Sequence, residues 1–216
     1  MLTKVEISIP CGIFFMQGQL QIPVAAKSLV LFSHGSGSNR FSKRNRVVAD
    51  LLNRSALATL LFDLLSEHED EVYSNRFNID LLTKRLVMAV EFMQEFELTS
   101  GMDIGLFGAS TGAASALNTS VRFPGIVNAI VSRGGRVDLS TCIDEVSAAT
   151  LLIVGENDTD VVEMNLNVFR RLKCEKEMTL VKGATHLFEE PGALKQVGEL
   201  SANWFTRHLG DNSGDK

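Results

Sequence analysis

Ile104-Gly105-Leu106-Phe107-Gly108-Ala109-Ser110-Thr111-Gly112-Ala113-Ala114-Ser115-Ala116-Leu117 is the stretch that decides the fold. A short apolar run leads into Gly-x-Ser-x-Gly, and a row of small residues with helical character follows at once. That order reads as strand, sharp turn and helix, the setting in which small flanking residues let the backbone hold a serine in a strained, exposed conformation. Ser110 is therefore a candidate nucleophile. The plainer reading of the same five residues is a glycine-rich turn that tightens strand–helix packing.

The same rhythm extends to both sides. Apolar runs at residues 29–33, 58–62, 126–131, 151–154 and 178–181 alternate with amphipathic stretches at 44–53, 79–96, 161–172 and 194–209. A continuous run such as Leu151-Leu152-Ile153-Val154 suits a strand covered on both faces, as in a parallel sheet flanked by helices. Ile79, Leu82, Leu86, Val90 and Met93 recur at three- and four-residue steps and would line one helix face. Residues 5–9 and 13–22, split by Pro10, Cys11 and Gly12, predict an antiparallel opening ribbon. The expected class is α/β, with a mostly parallel, doubly wound sheet and that ribbon at its amino-terminal end. No linker or internal repeat interrupts residues 1–209, which predicts one domain, and residues 210–216 read as a disordered tail.

Composition narrows the function. A chain of 216 residues with 45% hydrophobic and 22% charged residues is ordinary for a globular protein. At this size roughly 70% of the unfolded chain's surface can be buried. The net charge of -5 is modest, and the scattered Lys and Arg form no basic stripe for nucleic acid. No apolar run is long enough to cross a bilayer, and residues 1–10 alternate like a strand, unlike a signal peptide. The expectation is a cytoplasmic protein with no membrane partner. Cys11, Cys142 and Cys174 are odd in number and far apart, which predicts reduced thiols, no disulfide and no metal site. No cofactor is expected.

A serine hydroxyl needs a base to take its proton during attack. Of four histidines, His208 falls in the last helical stretch, His68 in an acidic run and His34 in a glycine-rich loop. His186, in Gly183-Ala184-Thr185-His186-Leu187-Phe188, follows the last predicted strand and precedes the last helix, where the base belongs. A carboxylate must then fix its tautomer. Asp158, a few residues past Gly155 at the end of the 151–154 strand, is the expected acid, with Glu156 and Asp160 as competitors and a helix N-cap as its alternative role.

A tetrahedral oxyanion needs two preorganised N–H donors. Thr111, directly after the nucleophile, should supply one, and the loop His34-Gly35-Ser36-Gly37-Ser38 the other, with Ser36 first and Gly35 next. His34 should hold that loop by a ring hydrogen bond. Arg40, Arg44 and Arg133 could bind an anionic substrate, although solvated or acid-paired arginines are common. Glu67 to Glu71 reads as a solvated loop that could overhang the pocket, and Tyr73, Leu187 and Phe188 are possible pocket walls or ordinary packing residues.

These motifs resemble the α/β-hydrolase superfamily and, within it, the dienelactone-hydrolase-like small hydrolases. The resemblance covers residues 24–209, and its most specific pieces are 33–38, 108–112, Ser132-Arg133-Gly134-Gly135-Arg136 and 183–188. It implies hydrolysis of a small ester or lactone through an acyl-enzyme, with Ser110, Asp158 and His186 on the triad positions. Acyl transfer with the same triad, or an idle triad in a binding module, are the alternatives. The chain also resembles domains that are fused to phosphoribosyltransferases. Dienelactone hydrolases proper resemble this chain less at the nucleophile, where they use cysteine, so their substrate is not carried over. Only about eighteen residues separate the strands at 126–131 and 151–154, which leaves no room for a helical cap and implies an open site for a small-molecule substrate. Monomer and homodimer are both compatible with the chain.

Overall fold

The computed structural model describes residues 1–210; the expected tail lies, from residue 211 on, outside the described residues. In chain order the strands are β1 (Leu2–Cys11), β2 (Phe14–Pro23), β3 (Ser28–Ser33), β4 (Ala58–Phe62), β5 (Asp103–Ala109), β6 (Val127–Arg133), β7 (Ala149–Gly155) and β8 (Lys176–Val181). The helices are α1 (Lys43–Arg54), α2 (Glu67–Glu71), α3 (Ile79–Glu95), α4 (Thr111–Ser120), α5 (Thr159–Arg171) and α6 (Ala193–His208). The strands form one sheet in the order β1-β2-β4-β3-β5-β6-β7-β8. The β1–β2 and β2–β4 pairs are antiparallel and the others parallel, which matches the expected amino-terminal ribbon on a mostly parallel sheet.

The apolar runs are continuous because each strand feeds two cores. Val30, Phe32, Leu61, Phe107, Val131 and Ile153 pack with α1 and α6, while their neighbours Leu29, Leu31, Leu60, Leu106, Ile130 and Leu152 pack with α3, α4 and α5. Two-residue alternation thus hides inside an unbroken hydrophobic string. Leu82, Leu86, Val90 and Met93 of α3 are buried on one face, with Ile79 packed at its edge. Every residue of α4 is buried, which is why that helix is built from Ala, Gly, Ser, Thr and Asn with a single large apolar side chain, Leu117.

Strand order places the site. From β3 the chain crosses to β4 on one side, then returns past β3 to β5 on the other, so the loops after β3 and β5 diverge and leave a crevice at their carboxyl ends. The 134–148 connection between β6 and β7 holds only two 3-10 turns, Val137–Leu139 and Ile143–Glu145, and no cap covers the crevice.

One expectation fails. Residues 67–71 form the short helix α2 rather than a loop, because Ser66 and Glu69 make a reciprocal capping box. The Glu69 N–H donates to Ser66 Oγ at 3.2 Å and the Ser66 N–H to Glu69 Oε2 at 3.0 Å. Glu69 also pairs with the mostly buried Arg85 of α3, which ties α2 down. Among the described residues the three cysteines are unpaired, and no helix is long and apolar enough to cross a membrane.

Candidate active site

Ser110 sits between β5 and α4 with φ 50° and ψ -121°, in a region that residues other than glycine rarely occupy. Such a conformation costs about 1–3 kcal/mol and persists only where its surroundings over-determine it. Here the Ser132–Arg136 turn supplies the restraint. The Ser110 N–H donates to the Arg133 carbonyl at 3.2 Å, and the Ser110 carbonyl accepts from the Arg136 N–H at 3.0 Å and the Ala113 N–H at 3.1 Å. The flanking glycine at 112 is required sterically: a Cβ there would lie 2.0 Å from the Ser33 carbonyl oxygen.

His186 lies in the loop between β8 and α6, and Asp158 in the turn between β7 and α5. Their side chains meet, with His186 Nδ1 2.6 Å from Asp158 Oδ2, so the ring donates Nδ1–H to the carboxylate and keeps Nε2 free for proton transfer. Asp158 occupies the N-cap position of α5 but makes no capping bond with its side chain. The competing acids are elsewhere. Glu156 Oε2 accepts the Gly183 N–H at 2.8 Å, and Asp160 belongs to the first turn of α5 with no bond to the ring. Asn157 completes the joint, its N–H donating to the Ala184 carbonyl and its Nδ2 to the Gly183 carbonyl, so the Asp158 turn and the His186 loop are stapled together. Phe188 is fully buried with φ 56°, an anchor for that loop rather than a pocket wall; Tyr73 and Leu187 are exposed.

Ser110 and His186 occupy the same end of the sheet, since the Gly134 Cα beside Ser110's partner Arg133 borders His186 closely enough that a Cβ would lie 3.5 Å from Nδ1. No hydrogen bond joins Ser110 Oγ to the ring among the described residues.

The 34–38 loop leans on Ser110: a Cβ on Gly35 would lie 3.0 Å from Ser110 Cβ. The Ser36 N–H already donates to Thr111 Oγ1 at 3.1 Å, whereas the Gly35 N–H has no partner among the described residues. A Thr111 hydroxyl tying the loop to the elbow carries no motif of its own, so sequence reasoning assigned Thr111 only a backbone role. His34 is buried and holds the loop as expected. Its Nε2 accepts the Leu64 N–H at 3.1 Å, so the proton sits on Nδ1, which donates to the Gly35 carbonyl at 3.1 Å.

Burial pushes the His34 pKa below that of a free imidazole, against the raising effects of the Gly35 carbonyl, Asp63 and Asp70. A depressed folded pKa means the unfolded chain binds the proton more readily. The contribution is thus fully present above about pH 6.5 and is lost as pH falls towards the folded value. Urea melts of the wild type and His34→Gln should therefore differ most at pH 7.5 and converge at pH 5. A gap that stays constant across that range would detach the acid sensitivity from His34.

The three arginines divide. Arg40 pairs with Asp63, and Arg44 Nη1 donates to Glu189 Oε1 at 3.0 Å, whereas Arg133 is 8% exposed and has no acidic partner among the described residues. Beyond the 34–38 loop lies a hollow of about 520 Å³ lined in part by Phe14, Phe15, Phe41, Arg40 and Asp63, with Glu67, His68 and Asp70 at its border. The acidic stretch therefore borders a hollow whose lining includes none of Ser110, Asp158 and His186. Among the described residues no cluster of His, Cys, Asp and Glu has metal-holding geometry.

A mostly parallel sheet with an antiparallel ribbon, a strained serine at the β5–α4 elbow and a His–Asp pair after the last two strands defines an α/β-hydrolase. A dienelactone hydrolase crystal structure from Anabaena variabilis is 43% identical and superposes with a TM-score of 0.93, covering 97% of this chain and 99% of that one. The chain belongs to the dienelactone hydrolase family. A Pyrococcus furiosus esterase shares the fold at 17% identity and a TM-score of 0.78, over 97% of this chain and 92% of that chain. Two curated Mycobacterium tuberculosis proteins, provisionally named phosphoribosyl transferases, are 43% identical over 205 residues, or 94% of this chain. The chain spans about half, 46%, of the length of those relatives. No protein-family model matches the chain.

Proposed function

We propose that this chain hydrolyses a small carboxylic ester or lactone through an acyl-enzyme, with Ser110 as nucleophile, His186 as general base and Asp158 as the acid that orients it. The 2.6 Å bond between His186 Nδ1 and Asp158 Oδ2 is the observation that carries the reading. That bond fixes the tautomer in which Nε2 can take the Ser110 proton, and the carboxylate stabilises the imidazolium formed as Ser110 attacks. In an unliganded site the serine–histidine bond is often long and tightens when substrate binds. The Thr111 N–H at the head of α4 and the unpartnered Gly35 N–H supply the two oxyanion donors, while Ser36 serves as the tether to Thr111. Collapse of the tetrahedral intermediate expels the alcohol with the proton from His186, and water deacylates by the reverse roles. The transferase name of the longer relatives is not carried to this chain.

A fluorophosphonate probe followed by peptide mapping tests the assignment. Labelling should fall on Ser110, vanish in Ser110→Ala and drop strongly in His186→Ala. Folded wild-type protein that takes no label, or takes it on another serine, would defeat the proposal.

A further inference from the structure

β1 is a free edge of the sheet, and its backbone turns a row of unused hydrogen-bonding groups away from the molecule. The Gln17 carbonyl accepts the Asp63 N–H just after β4, so the odd-numbered residues of β2 point their backbone groups at β4 and the even-numbered ones at β1. Register then settles β1. Ile7 faces Gly18, Val5 faces Leu20 and Thr3 faces Ile22, so the odd residues of β1 bond to β2, and the N–H and C=O groups of Leu2, Lys4, Glu6 and Ser8 face outward. The Val24 N–H, bonded to the Met1 carbonyl at 3.2 Å, keeps the same parity. Pro10 belongs to the outward set too, where its missing N–H deprives β2 of nothing.

Side chains along this edge leave two charges unanswered. Lys4 and Glu6 are exposed on one face of β1, and neither has an ion-pair partner among the described residues; Glu6 Oε1 accepts the Gln19 amide at 2.8 Å. On the other face Val5 is half-buried, between exposed Thr3 and buried Ile7. The opposite edge of the sheet differs, because Arg207 of α6 bonds Glu175 at 2.6 Å and Glu177 at 3.0 Å beside β8.

An exposed edge strand is a template for pairing with another chain, and charges along it ordinarily prevent that. Here opposite signs two residues apart make the strand complementary to itself. In a two-fold antiparallel pair, outward groups meet only in registers that set even residue against even residue. One such register opposes Lys4 to Lys4 and another Glu6 to Glu6, each placing like charges face to face. The register between them sets Lys4 against Glu6, Leu2 against Ser8 and Val5 against its own copy, so both charges are answered and two β-branched side chains touch. Pro10 then falls beyond the paired residues.

We infer that β1 is a self-association edge: two copies of this chain join residues 2–8 about a two-fold axis at Val5 and continue one sheet into the next. A single strand pair covers less than the roughly 1,200–2,000 Å² of a stable interface, so the expected affinity is micromolar. Self-association through β1 requires nothing of Ser110 and is independent of the proposed hydrolysis.

Sedimentation velocity of untagged protein, from micromolar to submillimolar concentration, should show a monomer–dimer equilibrium. Lys4→Glu and Glu6→Lys should each weaken it at least about tenfold, since the two-fold axis counts each change twice, and the double reversal should return it to within about threefold of the wild type. Glu6→Pro removes an outward N–H and no bond to β2, so it should abolish the dimer while dilute protein melts as before. Val5→Cys should cross-link to itself under mild oxidation, because directly opposed Cα atoms of such a pair stand about 4.5 Å apart, whereas Thr3→Cys, facing Ile7, should not. A monomer throughout the concentration range would overturn the inference. So would a dimer that Glu6→Pro leaves intact, a double reversal no tighter than the single ones, or cross-linking of Thr3→Cys in preference to Val5→Cys.

Discussion

Ser110→Ala should lower kcat by about 10⁵-fold with the melting temperature preserved, and Asp158→Asn should lower it by about 10⁴-fold. The first change removes the proposed attacking oxygen but leaves the elbow, its Cβ and the proposed donors at Gly35 and Thr111, so a residual rate above the uncatalysed one should persist. The second acts through the imidazole. An asparagine amide facing His186 Nδ1 would supply a donor where the 2.6 Å bond now needs an acceptor, turning the ring into the tautomer with a protonated Nε2. Asp160→Asn, on the first turn of α5 and without a bond to the ring, should leave the rate essentially unchanged. Steady-state kinetics on a p-nitrophenyl ester, with circular dichroism as a check on folding, measure all three. Activity that survives Asp158→Asn and disappears with Asp160→Asn would move the acid to the other residue.

Gly112→Ala should destabilise the fold by more than about 3 kcal/mol. The new methyl group would sit 2.0 Å from the Ser33 carbonyl oxygen and 2.8 Å from that of His34. Both are backbone atoms of β3 and the loop that follows it, and neither has a rotamer to move away. Relief requires α4 to withdraw from β3, which would also pull Thr111 Oγ1 away from the Ser36 N–H. The contrasting case is Gly125→Ala, where no atom lies within 4 Å and only the positive φ of 78° opposes the side chain, at a cost of about 1 kcal/mol. Urea denaturation of the two variants separates them, and equal midpoints would show that β3 and α4 are not tightly apposed.

The sequence reveals those features that local chemistry determines. Gly108 to Gly112 between an apolar run and a small-residue stretch specifies the elbow, and Leu151 to Val154 specifies a strand buried on both faces. Asp158 could be preferred over Glu156 and Asp160 by position, but only the bond from Gly183 to Glu156 explains why the nearer acid is occupied. The α2 helix was hidden because five polar residues carry no apolar period, yet Ser66 and Glu69 spell the capping box that forms it. The sequence puts Ser36 ahead of Gly35 as oxyanion donor, but the Ser36 N–H is bonded to Thr111 Oγ1 at the head of α4, a long-range contact that no local motif announces.

The short, uncapped passage from β6 to β7 has a chemical corollary. With His186 side-chain exposure at 39%, bulk solvent has direct access to the face of the ring region from which deacylation would proceed. An acyl group on Ser110 would then partition between water and any competing nucleophile mainly by abundance, and a thiol or alcohol acceptor would need a binding niche of its own to prevail. On the proposed mechanism, such exposure would favour hydrolysis over acyl transfer.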